Sequence, residues 1–254
     1  MNNSLNSLSH DEDKIKIGLI EVKKRVQDAL LMAERNPEET SILAVSKKQP
    51  PAAVEALSRM GHIDFGENFL QDALEKIGGL KHLKINWHFI GKIQSNKTRE
   101  IAEKFQWAHT IDRLKIAECL NRYRPRQLPK LNVCIQVNQA NEAQKGGIEP
   151  NNVAKLAYEI MELPRLRLRG LMTIPPLNKS SDEAKSFFSV LRSQQEKLIS
   201  EGISMDTLSM GMSSDLEEAI LNGSTIVRIG TAIFGPRLEK NTTLPSYIND
   251  NKTP

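Results

Sequence analysis

From residue 14 onward the chain switches repeatedly between two hydrophobic periods. Ile15, Leu19, Val22, Val26, Leu30 and Ala33 recur at spacings of 4, 3, 4, 4 and 3, one apolar stripe on a 3.6-residue period. That spacing predicts a helix over 14–35. Asp11, Glu12 and Asp13 lie near its start, where the helix dipole favours negative charge, and Asn36-Pro37 ends it. Short apolar runs of strand length follow at 42–47, 62–66, 86–90, 107–111, 132–138, 166–174, 206–210 and 225–229. Between them lie helical stretches at 51–60, 69–77, 95–105, 113–123, 150–162, 182–200 and 214–222, with a short one after Gly230-Thr231. Pro51 suits a first helical position, and Ser95 is expected to cap the helix it precedes.

Eight strand-then-helix units after one leading helix imply parallel strands, because each crossover returns the chain to the same end of the sheet. The expected fold is α/β, a single (β/α)8 TIM barrel over 14–237 with one extra N-terminal helix. Residues 1–13 and 238–254 read as polar tails. An open doubly wound sheet is the alternative, but no Gly-x-Gly-x-x-Gly follows the first strand.

Composition narrows the function classes. The 254 residues carry 35 basic and 31 acidic side chains, a formal charge of +4, with the signs interspersed. No basic stripe with aromatics marks a nucleic-acid surface. Cys119 and Cys134 are the only cysteines and lack Cys-x-x-Cys spacing, so neither a disulfide framework nor a thiolate zinc site is expected. No apolar run reaches the roughly 18 residues of a membrane span, and the N-terminus lacks the charged-then-apolar pattern of a signal peptide. A cytoplasmic protein is expected.

In a barrel of this kind the chemistry gathers at the C-terminal edge of the strands. There the first strand delivers Lys47 and Lys48, the second Glu67-Asn68, the third His88 and Gly91, and the seventh Met212-Ser213-Ser214. The last strand carries Arg228 and runs into Gly230-Thr231 and a helix start. Backbone N–H groups there, with the hydroxyls of Thr231, Ser213 and Ser214, form a natural phosphate cup; the bland reading is that these residues cap helices. If Val227 and Ile229 pack outward, Arg228 points into the barrel mouth, where it needs an acceptor or an acidic partner. A phosphate-bearing aldehyde satisfies cup, arginine and lysine together: its phosphate fills the cup and its carbonyl forms a Schiff base with the lysine. Adjacent strand residues face opposite ways, so only one of Lys47 and Lys48 enters the barrel.

The segments Ala44-Val-Ser-Lys47, Phe65-Gly-Glu-Asn68, Trp87-His-Phe-Ile-Gly91, Gln94-Ser-Asn-Lys97, His109-Thr-Ile-Asp112, Arg169-Gly-Leu-Met172, Ser209-Met-Gly-Met-Ser213 and Val227–Gly235 resemble, in order, those of the pyridoxal phosphate homeostasis proteins. The resemblance runs from about residue 15 to 237. It implies a barrel similar to the N-terminal domain of alanine racemase, with pyridoxal 5′-phosphate held as a Schiff base on Lys47. It further implies phosphate ligands at Ser213, Gly230 and Thr231, Arg228 at the pyridine nitrogen, and Asn68 and His88 lining the pocket. Members are described as buffering or delivering the cofactor without convincing catalysis, with apo forms of pyridoxal-phosphate enzymes as candidate recipients. A monomer is expected.

An arginine at the ring nitrogen disfavours its protonation and weakens the electron sink that racemases use. The second base of the two-domain racemases comes from a domain after the barrel, where this chain has only about 17 polar residues. A single-domain amino-acid racemase is the competing enzyme reading, and an interaction protein that signals cofactor occupancy is a third. Lys92 stands where many relatives carry a small residue or proline, and Lys145 matches a loop lysine proposed elsewhere as a second cofactor contact.

Overall fold

The computed structural model describes residues 2–140, 146–176 and 180–235. Lys145 and the 238–254 tail lie outside them. Eight parallel strands close into one barrel in chain order: β1 (Ser41–Val45), β2 (Asp64–Glu67), β3 (Asn86–Phe89), β4 (Trp107–Ile111), β5 (Leu131–Gln136), β6 (Leu166–Met172), β7 (Thr207–Ser209) and β8 (Ile226–Ile229). The ring closes where Ala44 of β1 pairs with Ile229 of β8. The open-sheet alternative is thereby excluded.

Helix α1 (Asn2–Met32) precedes the barrel and begins before the expected residue 14; Ile15, Leu19, Val22, Val26 and Leu30 of the expected stripe are buried. The remaining helices are α2 (Pro51–Arg59), α3 (Leu70–Gly79), α4 (Thr98–Lys104), α5 (Leu114–Tyr123), α6 (Val153–Met161), α7 (Ser181–Ser200), α8 (Leu216–Leu221) and the single turn α9 (Thr231–Phe234). Pro51 does open α2. Ser95 does not cap α4: it starts a one-turn 3-10 segment, and its carbonyl instead accepts a hydrogen bond from the Thr98 hydroxyl.

Strand parity sorts the residues into two apolar regions. Ala44, Phe65, Phe89, Val227 and Ile229 face outward into the shell shared with the helices. Leu43, Ile90 and Ile226 form a smaller cluster within the barrel, joined by Val45 and Trp107. Arg228 alternates with Val227 and Ile229 on β8 and so shares the inner face, as the sequence pattern anticipates. Barrel lumens are usually filled by branched apolar side chains. This one also buries His88, His109, Ser209 and Arg228.

Candidate functional site

At the C-terminal edge of the strands lies a cavity of about 300 Å³, at the small end of ligand-sized pockets. Lys47, Asn68, Ser213, Arg228, Gly230 and Thr231 all line it. Residues from β1, β2, β7 and β8, far apart in sequence, therefore converge on one space.

Lys47 reaches the cavity from a turn. β1 ends at Val45, and Lys48 takes a left-handed conformation with φ of 61°. Its backbone N–H donates to Asp72 Oδ2 at 3.0 Å, and its side chain is exposed. Ser46, just before Lys47, is buried; its hydroxyl donates to Glu67 Oε1 at 2.6 Å. Lys76 of α3, only 1 % exposed, ties the turn together by donating to the Ser46 carbonyl, Glu67 Oε1 and Asp72 Oδ2 at 2.7, 2.7 and 3.0 Å. Burial pushes the Glu67 carboxyl above its ordinary pKa, outweighing the opposing pull of Lys76 and Ser46.

Asn68 is held by an unusually close backbone approach. A Cβ on Gly91 would lie 2.0 Å from the Asn68 carbonyl oxygen, so only glycine permits this meeting of the β2 and β3 ends. Asn68 Oδ1 is buried without a hydrogen-bond partner among the described residues. A buried acceptor of this sort is completed by a donor from a bound molecule or water.

Arg228 is buried apart from its edge on the cavity. Its Nη1 donates to the Ser209 carbonyl at 2.5 Å and to Ser209 Oγ at 3.0 Å, and its Nη2 donates to the Thr173 carbonyl at 2.9 Å. These acceptors are neutral. Burial lowers the guanidinium pKa to about 10, with Asp215 opposing the drop, so the group remains a cation at neutral pH.

Neither Ser213 nor Ser214 caps α8, whose N-cap is Asp215. Asp215 Oδ1 instead accepts from the Met212 backbone N–H at 2.6 Å, shaping the loop on which the serines sit. α9 is one turn long, so its dipole is small; the Thr231 and Ala232 amides of that first turn and the hydroxyls supply the donors. A Cβ on Gly230 would meet only Val45, at ordinary distances of 3.5 and 3.7 Å. The rest of the chain thus does not demand glycine there. α1 supports both loops from behind: Arg25 donates to the Ser213 carbonyl at 3.0 Å and pairs with Glu217. A Cβ on Gly18 would fall 2.5 Å from the Ala232 carbonyl oxygen.

His88 does not line the cavity. Ile90 does, and His88 lies two residues earlier beside β3's inner face, deeper in the lumen. Lys92 is exposed and also lies outside the lining. Apolar lining from Ile90, Met172 and Ile174 was missed by the sequence reading, although Met172 closes the Arg-Gly-Leu-Met segment at a strand end. No group of three metal-ligating side chains is found among the described residues, nor does any described helix have the length and apolarity to cross a membrane.

The closed barrel with a lysine, an arginine and a hydroxyl-lined cup at one mouth places the chain among proteins built on the barrel of alanine racemase: the family described as "Alanine racemase, N-terminal domain" matches residues 21–237. Within that class, the chain belongs to the pyridoxal phosphate homeostasis protein family. It is 52 % identical over 219 residues to the protein of that name from Pseudomonas aeruginosa, covering 86 % of this chain and 94 % of the relative. The Escherichia coli K12 protein of the same name is 45 % identical over 241 residues, covering 92 % and 98 %. PipY of Synechococcus elongatus, whose structure is described with PLP bound, superposes with a TM-score of 0.73 at 33 % identity, covering 83 % of this chain and all of PipY.

Proposed function

We propose that this protein binds pyridoxal 5′-phosphate at Lys47 and serves to hold and pass on the cofactor. The observation that carries the reading is the convergence of Lys47, Arg228, Asn68, Ser213, Gly230 and Thr231 on one cavity. The donor set suits the molecule. Ser213, Thr231 and the first amides of α9 would take the phosphate, Arg228 would donate to the ring nitrogen, and the orphaned Asn68 oxygen would accept from a ring hydroxyl. Held there, the cofactor would supply an aldehyde group, and Lys47 would supply the amine that it needs for a Schiff base. The chain's own contribution is to hold Lys47 on a clamped turn and to keep a cation beside the ring nitrogen.

That cation supports a carrier over a catalyst. A guanidinium still charged at neutral pH opposes protonation of the ring nitrogen, and so weakens the electron withdrawal that carbanion chemistry requires. Apo forms of pyridoxal-phosphate enzymes are the proposed recipients, and a cytoplasmic monomer is the proposed working form.

Borohydride reduction of the loaded protein, followed by peptide mass mapping, tests the assignment. A single reduced adduct on Lys47, lost in Lys47→Ala, is expected; full-stoichiometry adduct in that variant would overturn it. Exchange of amino-acid α-hydrogens at more than about 1 per second, the low end of ordinary enzymes, would instead favour a racemase. Transfer to an apo-enzyme faster than from free cofactor would establish delivery; no acceleration would leave buffering.

A further inference from the structure

Beneath the cavity, five buried or half-buried side chains form one continuous hydrogen-bonded line. Ser209 Oγ lies 3.0 Å from Arg228 Nη1 and 2.8 Å from His109 Nδ1. His109 Nε2 lies 3.0 Å from His88 Nδ1, and His88 Nε2 lies 3.3 Å from Asp64 Oδ1. Asp64 opens β2 at the amino-terminal edge of the barrel, with its side chain 28 % exposed. Arg228 sits near the carboxy-terminal edge. The line therefore runs through the lumen from one face to the other.

Counting donors and acceptors settles the direction of every bond. Arginine can only donate, so Ser209 Oγ accepts from Arg228. At the other end the Asp64 carboxylate can only accept, so His88 donates from Nε2. With both rings neutral, each bare Nδ1 then accepts in turn, that of His88 from His109 Nε2 and that of His109 from the Ser209 hydroxyl. One proton fits each gap, and the rings have little water to stabilise a charge: His109 is fully buried and His88 is 3 % exposed. The His88 ring is also fixed in place, stacked on Trp107 at an interplanar angle of 6°, and Asn86 Nδ2 donates to Asp64 Oδ1 at 3.0 Å.

We infer that Asp64, His88, His109 and Ser209 are positioning residues for the cofactor site: a one-way hydrogen-bond relay in which a carboxylate at the base of the barrel forces an acceptor toward Arg228 at its mouth. Ser209 is the decisive link. Without a fixed acceptor at His109 Nδ1, its hydroxyl proton is free to turn toward the guanidinium, donor against donor. Arg228 then loses one of the contacts that aim its remaining N–H groups into the cavity. The inference rests on the proposed binding of pyridoxal 5′-phosphate, and it gives His88 a role although it does not reach the cavity.

Two measurements separate this inference from the reading it rests on. Nitrogen-15 spectra of histidine-labelled, cofactor-free protein at neutral pH should show His88 and His109 as neutral Nε2–H tautomers, with Asp64→Ala abolishing the single tautomer of His88. An Nδ1–H tautomer or a protonated ring at either position in the wild type would overturn the relay whatever the protein binds. The second measurement uses pyridoxine 5′-phosphate, which lacks the aldehyde and so reports ring and phosphate contacts alone. Ser209→Ala and Asp64→Ala should weaken it about tenfold, with inorganic phosphate affinity unchanged and Ser209→Thr restoring binding. Unchanged pyridoxine phosphate affinity in both alanine variants, or equal loss for inorganic phosphate, would sink the positioning role. Failure of the wild type to bind pyridoxine phosphate, with the tautomers as assigned, would instead count against the cofactor reading.

Discussion

Lys76 Nζ donates to the carbonyl oxygen of Ser46 at 2.7 Å, one residue before Lys47. A lysine buried on a barrel-facing helix thus sets the backbone from which the cavity lysine springs. Its other partners, Glu67 and Asp72, hold the Ser46 hydroxyl and the Lys48 backbone N–H, so both flanks of Lys47 are tied to one buried charge cluster.

Lys76→Met should therefore be costly. It leaves Glu67, itself 0 % exposed, ionisable and unpaired, a situation worth about 3–5 kcal/mol. Urea unfolding of the single variant should show that loss, and adding Glu67→Gln should recover part of it. Borohydride-trapped labelling of Lys47 should also slow. A cost below about 1 kcal/mol would mean that the cluster is solvated or relaxes readily.

Gly18→Ala tests the support behind the phosphate cup. The added Cβ has backbone oxygens of α9 at 2.5 and 2.8 Å, so α1 and α9 must separate. Overpacking of this kind costs about 1–3 kcal/mol. Because Thr231 moves with α9, affinity for pyridoxine phosphate should fall more than affinity for unphosphorylated pyridoxine. Equal losses for both would show that the strain is absorbed elsewhere.

Stability should decline as pH falls below about 6.5. Burial holds His62, His88 and His109 below their ordinary pKa, and His88 and Arg228 add to the shift at His109. A depressed folded-state value means that the unfolded chain takes up protons first. The stability is fully present above the unfolded pKa and is lost downward at up to about 1.4 kcal/mol per pH unit for each ring. Asp64 acts with the same sign in the carboxylate range: burial raises its pKa, but His88 and Asn86 together hold it low. Glu67, pushed upward, acts with the opposite sign above about 4.3. Urea titrations between about pH 7.5 and 5.5 should show a shallower slope in His88→Asn/His109→Asn than in the wild type; an identical slope would remove these rings as its source.

Cys134 should resist thiol reagents. Burial pushes its pKa to about 12, leaving almost no thiolate at neutral pH. Labelling with a disulfide reagent should reach Cys134 only at the rate of unfolding, with urea accelerating it. Rapid labelling of the native protein would reveal local opening of β5.

The alternation of strand and helix periods was enough to mark eight parallel strand-helix units, because burial on two different repeats leaves its record in every element. The pairing of Ala44 with Ile229 that closes the ring and excludes the open sheet came only with the tertiary structure. Strand parity likewise turned Arg228 inward, and residue types at strand ends marked the lysine and the hydroxyl-bearing loops. Tertiary structure decided what depends on partners distant along the chain. β1 stops at Val45, so the Lys48 turn, clamped by Asp72, separates the two lysines where parity alone was expected to do so. Lys76 reads as a surface charge on a helix until Glu67 and the Ser46 carbonyl enclose it. His88 is expected in the pocket from its place near the end of the third strand and from the family resemblance, yet its bonds run to His109 and Asp64, and through His109 to a serine 100 residues further on. Hydrophobic periodicity is local and legible in one dimension; the matching of donors to acceptors inside a barrel exists only once the strands have closed.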